Sequence, residues 1–338
     1  MTGQTMRRGL VACAATVSAI ALGACGSTAG GGSEDAEYPS ERLSIMAPAD
    51  PGGGWDETAR ALQAAIRASR MSEQGAEVHN VPGAGGTLGL SQLATKQQGD
   101  PNQLMVMGLV MLGAIETNES SVDLSQVTPI ATLTEEAEAI VVPADSPYRT
   151  LGDLMADLER DPGSVAWAGG SAGGTDQLLV GLLAKAVGAD PAKTKYVAHD
   201  GGGEAIAAIL SGSVDAGVSG VSEFADQVEA GKMRVLAVSG DAPVDVGGTK
   251  APTIEDEGFD VLLTNWRGIV APPGLSDADR DKVVAFVEKV RATPAWKENV
   301  ERFGWTEVAK SGAEFGSFLE SEEQRVKQLV AELGLTAS

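Results

Sequence analysis

The chain has 338 residues, a formal net charge of -22 (47 acidic against 25 basic residues) and 43% hydrophobic residues, with aromatics at only 4%. That length and apolar fraction give a folded protein with room for two domains and exclude wholesale disorder. The acid excess excludes nucleic acid as a partner, because phosphate binding needs a basic patch; two cysteines and two histidines are too few for a Cys/His zinc cluster, which leaves only a carboxylate-bound metal open.

The first 24 residues read as a signal sequence. Arg7 and Arg8 form a positive start, and Gly9 to Gly23 is apolar, uncharged and too short to span a bilayer. Leu22-Gly23-Ala24-Cys25 then looks like a bacterial lipobox, which makes Cys25 the expected lipidated N-terminus; the alternative is an ordinary secretory signal with a chance cysteine. Cleavage removes Cys13, two arginines and no acid, so the mature chain is more acidic still and holds a single cysteine, with no intrachain disulfide. Gly26 to Tyr38 is small, polar and acidic, a tether of roughly 20 Å root-mean-square span. No later segment reaches the roughly 18 apolar residues of a membrane span.

From residue 42 strand and helix patterns alternate. Leu43, Ile45 and Ala47 form a strand that breaks at Pro51-Gly52-Gly53-Gly54, and Ala59, Leu62, Ala65 and Ile66 mark one face of the following helix. Leu104 to Val110 and Ala139 to Val142 are continuous apolar runs, as in buried strands. Val165 to Ala168, Tyr196 to Ala198, Val235 to Val238 and Gly268 to Ala271 are further strands. Helical patterns follow at Leu178 to Leu183 and at Ala205 to Leu210, and again over Asp277 to Val290 and Ala313 to Leu333. This alternation predicts an α/β protein with parallel sheets and no fixed-period repeat.

Four glycine clusters each close a strand and open a helix or turn: Pro51 to Gly54, Pro82 to Gly86, Gly169 to Gly174 and Gly201 to Gly203. Glycine lets a ligand approach backbone N–H groups, and a helix N-terminus adds unpaired donors and partial positive charge. Read blandly, each cluster is a tight βα turn. Four converging at the strand carboxyl ends would make an anion site that needs no Arg or Lys. The net negative charge does not forbid this, since salt damps distant charges beyond about 8–10 Å while the loop dipoles act at contact. There is no GxxxxGK[ST], and no GxGxxG between a strand and a helix, which argues against kinase and dehydrogenase chemistry.

Met46-Ala-Pro-Ala-Asp-Pro-Gly-Gly-Gly-Trp-Asp56 with Ala59-Arg60, followed by Asn80-Val-Pro-Gly-Ala-Gly-Gly86, resembles the paired N-terminal signatures of the extracytoplasmic substrate-binding proteins of tripartite tricarboxylate transporters, the Bug (TctC) family. The resemblance runs along nearly all of residues 40–335, through Gly169 to Asp176, Ala207 to Gly217, Gly268 to Gly274 and Pro294-Ala-Trp296. It implies an α/β periplasmic-binding-protein fold (type II-like), a Venus flytrap of two α/β domains with the ligand between them. The implied division is a signal at 1–24, a tether at 25–40, a discontinuous first domain at 41–143 plus 264–338, and a second domain at 144–263. Strands would cross between domains near 140–147 and 262–272.

The same resemblance implies a small carboxylate ligand held by main-chain N–H groups and bridging waters, and delivery to integral-membrane transporter subunits; the protein is expected to be a monomer without a cofactor, held at the membrane by the lipid on Cys25. By position, Gly52, Gly53 and Gly54 match the first loop, and Gly83, Ala84, Gly85 and Gly86 the second. Ser171, Gly174, Thr175 and Asp176 fall in the opposing loop, and Gly202 in the fourth. Several readings stay open. Asp56 either caps the first helix or contacts a ligand ammonium or water. Trp55, where a small or polar residue is usual, either walls the cleft or covers the sheet. Arg267, in the bulky Asn265-Trp266-Arg267, either meets a second carboxylate or makes a salt bridge. His79 and His199 flank loops as hydrogen-bonding residues. Gly169 to Gly173 also spells GxSxG, so a secreted serine hydrolase built on Ser171, Asp176 or Asp190, and His199 is the enzyme alternative, although no HGGG-type motif precedes it. A third reading is a structural lipoprotein or adhesin.

Overall fold

The computed structural model describes residues 38–199 and 202–335. The signal segment, Cys25, the tether up to residue 37 and Gly201 of the fourth glycine cluster lie outside the described residues. The chain begins with β1 (Leu43–Ala47), α1 (Gly54–Ala68), β2 (Ala76–Asn80), α2 (Thr87–Lys96), β3 (Gln103–Gly108) and α3 (Leu109–Thr117). A long strand follows, β4 (Thr128–Pro143), then α4 (Leu151–Arg160), β5 (Ala166–Gly169), α5 (Thr175–Ala186), β6 (Lys195–Ala198) and α6 (Gly202–Leu210). Next come β7 (Ala216–Gly220), α7 (Val221–Glu229), β8 (Met233–Val238) and a small hairpin of β9 (Val244–Val246) and β10 (Thr249–Ala251). The chain ends with β11 (Thr264–Ala271), α8 (Asp277–Arg291), α9 (Pro294–Phe303), β12 (Thr306–Glu307) and α10 (Gly312–Glu332).

The main sheet runs β2-β1-β3-β11-β4-β7-β5-β6, with β12 and β8 also paired to β4. Its two ends are parallel, β1 with β2 and β3 on one side and β5 with β6 and β7 on the other. Its middle is antiparallel, where β11 lies between β3 and β4 and β4 meets β7. The alternation of strands and helices predicts parallel sheets; the sheet is mixed. β4 carries the chain from one half of the sheet to the other and β11 brings it back, so the two run in opposite directions. The α/β expectation holds and the purely parallel one is corrected.

Two element boundaries also differ from the sequence reading. The apolar run Leu104 to Val110 is not one strand: β3 stops at Gly108 and Val110 lies in α3. Both pieces are buried, and burial on all sides erases the periodicity that separates strand from helix. The strand expected over Ala139 to Val142 is the last part of β4, whose earlier part holds Thr132, Thr134 and Glu136, buried polar residues that hide it from an apolar count. A continuous apolar core of Leu43, Ile45, Leu104, Val106, Ile140 and Trp167 lies under the sheet, all at or below 1% exposure. That core holds the strand ends rigid where the glycine loops emerge.

Candidate ligand cleft

Five helices among the described residues open directly after a glycine and carry no side-chain cap: α1 after Gly53, α2 after Gly86, α3 after Gly108, α5 after Gly174 and α7 after Gly220. Away from these loops hydroxyls cap three helices, Thr150 on α4, Ser276 on α8 and Thr293 on α9, while Ser311 before α10 makes no cap bond. A helix without a capping side chain leaves first-turn N–H groups for another acceptor and keeps its partial positive charge. The glycine-capped starts surround a cleft with an internal volume of about 80 Å³.

The first half of the sheet lines this cleft with Gly53, Gly54 and Trp55 at the start of α1 and Gly83, Gly85 and Gly86 before α2. The second half contributes Gly170, Ser171, Gly174 and Asp176 around the start of α5, then Gly202, Ser219 and Glu223. β11 adds Asn265 and Arg267. Two glycines are dictated by this geometry. Gly54 faces the Arg267 guanidinium, which a Cβ there would strike. Gly85 sits at φ 60° with Ala114 against it, a conformation and a contact that a side chain would disturb.

Four residues expected at the site lie outside this lining. Gly52 and Asp56 bond each other: Asp56 Oδ2 accepts from Gly52 N–H at 3.0 Å and from Arg60 Nε at 2.8 Å. Its Oδ1 accepts from Asn80 Nδ2 at 2.9 Å, and the same Nδ2 donates to the Ala49 carbonyl at 3.0 Å. Asp56 thus ties the first loop to the strand that feeds the second. Burial alone would raise its carboxyl, but the bonds from Arg60, Gly52 and Asn80 more than offset this and hold it below the ordinary value. Thr175 is fully buried and its Oγ1 has no partner. Ala84 lines a neighbouring depression with Ser171 and His199. Trp55 is 7% exposed, with its ring against Gly86, so it packs and forms wall at once.

Arg267 is 2% exposed and its Nη2 bonds Glu136, itself 3% exposed. The salt bridge is therefore buried beneath the cleft. Burial works against the Arg267 charge, but Glu136 and Glu223 keep it firmly protonated. Around it sit carboxyls: Asp176, expected at the site, and Glu57, Glu136, Glu138 and Glu223, which the sequence reading does not single out. Glu223 Oε1 accepts from Gly54 N–H at 3.1 Å, and its Oε2 accepts from Ser219 Oγ at 2.8 Å. Asp176 Oδ2 accepts from Gly170 N–H at 2.6 Å. Burial raises Glu138 well above the ordinary range and raises Glu223 as well. Burial with the nearby charge of Glu223 pushes Glu57 up to about 7, and burial lifts Asp176 to about 7 against the Gly170 bond. The signals were present: Glu135, Glu136 and Glu138 interrupt a strand, and Glu223 follows a strand end in Gly217-Val-Ser-Gly220.

The hydrolase arrangement is not formed. Asp176 is bonded to Gly170 rather than to a histidine, and His199 Nε2 is buried with no hydrogen-bond partner. Its Nδ1 faces Glu204 at 3.7 Å. Ser171 is absent from the residues with positive φ, so it lacks the strained turn of a nucleophile elbow.

The comparisons agree with this architecture. Residues 59–335 match the family described as "Tripartite tricarboxylate transporter family receptor". The protein of the TAR-I ttuE-ttuC' intergenic region of Agrobacterium vitis is 26% identical over 303 residues, covering 88% of this chain and 86% of that protein. Among solved structures, the periplasmic binding protein BugD superposes with a TM-score of 0.79 at 20% identity, covering 89% of this chain and 100% of BugD. MatC from Rhodopseudomonas palustris, with bound malate, gives 0.77 at 21% identity over 87% of this chain and 100% of its own. These likenesses show a periplasmic-binding-protein fold of two α/β domains. With uncapped helix starts gathered on one cleft and a family match across most of its length, the chain belongs to the receptor family of the tripartite tricarboxylate transporters.

Proposed function

We propose that this protein is a lipid-anchored extracytoplasmic receptor that captures a small carboxylate and delivers it to the membrane subunits of a tripartite tricarboxylate transporter. The observation that carries the proposal is the meeting of glycine-capped helix N-termini from both halves of the sheet at one cleft. Such N-termini receive anions through backbone N–H groups. The malate in MatC supports a ligand of that class. In this reading residues 41–143 and 264–338 form one domain, residues 144–263 the other, and Cys25 carries the lipid. The ligand bridges both domains and favours the closed arrangement by its greater affinity for it. The protein works as a monomer on its tether, and no helix among the described residues is long and apolar enough to cross a membrane.

A thermal-shift screen tests the proposal. The protein is denatured and refolded to strip carried ligand, then mixed with mono-, di- and tricarboxylates, aromatic acids, amino acids and sugars. The expected outcome is a melting temperature that climbs with the concentration of a carboxylate-bearing compound, since ligands of the native state stabilise it by mass action. A folded sample that ignores every carboxylate would end the proposal.

A further inference from the structure

Two of the backbone N–H groups that line the cleft are already occupied by the protein's own carboxyls. Gly54 N–H donates to Glu223 at 3.1 Å and Gly170 N–H donates to Asp176 at 2.6 Å. Both acids line the cleft, Asp176 from the first turn of α5 and Glu223 from the first turn of α7. Behind them Glu136 and Glu138 are almost wholly buried, and Glu136 holds the Nη2 of Arg267. A ligand with carboxylates at both ends would bring one of them against like charges in a poorly solvated space.

A second observation points to what the cleft lacks. Asn265 lines it, is 7% exposed, and its Oδ1 is buried with no hydrogen-bond partner. Two residues along β11, on the same face of the strand, Arg267 Nη1 is also buried and unpartnered. An acceptor and a donor are thus left open on one strand. A buried polar atom without a partner is costly unless a ligand supplies one. Three acceptor groups, Asp176, Glu223 and Asn265, match the three N–H donors of an ammonium. Arg267 Nη1 and the remaining glycine-capped helix starts match a carboxylate.

We propose that the ligand of this cleft is an amine-bearing carboxylate, with its protonated amine held by Glu223, Asp176 and Asn265 and its carboxylate turned toward Arg267. This rests on the reading of the protein as a carboxylate receptor and specifies the other end of the molecule. The amine offsets one carboxylate charge, so the ligand brings less negative charge into an acidic site than its amine-free counterpart.

Titration calorimetry on the stripped and refolded protein, with compounds paired to differ only in the amine, tests this. The pairs are glutarate against glutamate, succinate against aspartate, and butyrate against γ-aminobutyrate, with putrescine as an amine that has no carboxylate. In at least one pair the amine-bearing member is expected to bind about tenfold tighter or more, and Glu223→Gln and Asp176→Asn each to remove most of that preference. Equal or tighter binding of the amine-free members overturns the amine while leaving the carboxylate receptor standing. Binding of putrescine alone keeps the amine site and overturns the carboxylate. Silence from every compound, while the folded sample responds to another amine-free carboxylate in the thermal-shift screen, overturns the amine and leaves the receptor standing; silence in both experiments overturns both. Should either variant fail to fold, the wild-type ratio within each pair still decides.

Discussion

Glu57 and Asp176 are carboxyl groups held near neutrality inside the protein, with Glu136, Glu138, Glu223, Arg267 and the Tyr196 hydroxyl as their charged or titratable neighbours. Their folded values, about 7 for both, lie above those of an unfolded chain. A raised acid contributes stability that is complete below the unfolded value and disappears as the pH climbs through the folded one. The ligand-free protein is therefore expected to melt at a higher temperature near pH 5 than near pH 8, roughly the span between those values. The double substitution Glu57→Gln, Asp176→Asn should make the profile shallower, Glu138 and Glu223 carrying what remains. A wild-type melting temperature that is level or rising over that span would refute the assignment. At this scale the sequence told much about glycines and little about acids. Gly54 and Gly85 announce themselves because few other reasons cluster glycine after a strand. Glu223 and Glu138 do not, because an acid in a chain with 47 of them looks like solvated surface until the fold buries it.

The helices divide into two populations by their first residue. Those at the cleft start at glycine, whereas α8 and α9 start at Ser276 and Thr293, whose Oγ atoms accept from Asp279 N–H at 3.1 Å and Trp296 N–H at 3.2 Å. Ser276→Ala and Thr293→Ala should each cost about 1 kcal/mol of stability. Because both lie away from the cleft, ligand affinity should stay where it was. Urea unfolding beside calorimetry checks this, and an affinity loss that tracks the stability loss would show that the two populations are not separate. α9 is missing from the sequence reading although Thr293, Pro294 and Gly304 mark its start and stop; its short periodic stretch carries few apolar residues. The strand-to-helix change at Gly108 was hidden for the opposite reason, since every residue around it is apolar.

For the whole molecule, the family and the α/β class were readable because glycine spacing and strand rhythm are local. The antiparallel middle of the sheet was not, because it follows from where β4 and β11 travel rather than from what either contains. β4 is also the element with the furthest reach. Residues Thr128 to Ala137 pair with β11, and Glu138 to Pro143 pair with β7 and β8, along one unbroken strand. The partners of β4 change between Ala137 and Glu138, but the strand itself runs through both halves, so neither half can lose it and leave the other's ladder intact. Heating should then destroy both halves in a single cooperative event, with calorimetric and van't Hoff enthalpies in agreement. Two separated endotherms would mean that the halves melt as independent units. With a single event, a ligand that touches a few loops protects every residue of the sheet equally, and slow hydrogen exchange in β2 or β6, far along the sheet from β4, would report that the cleft is filled.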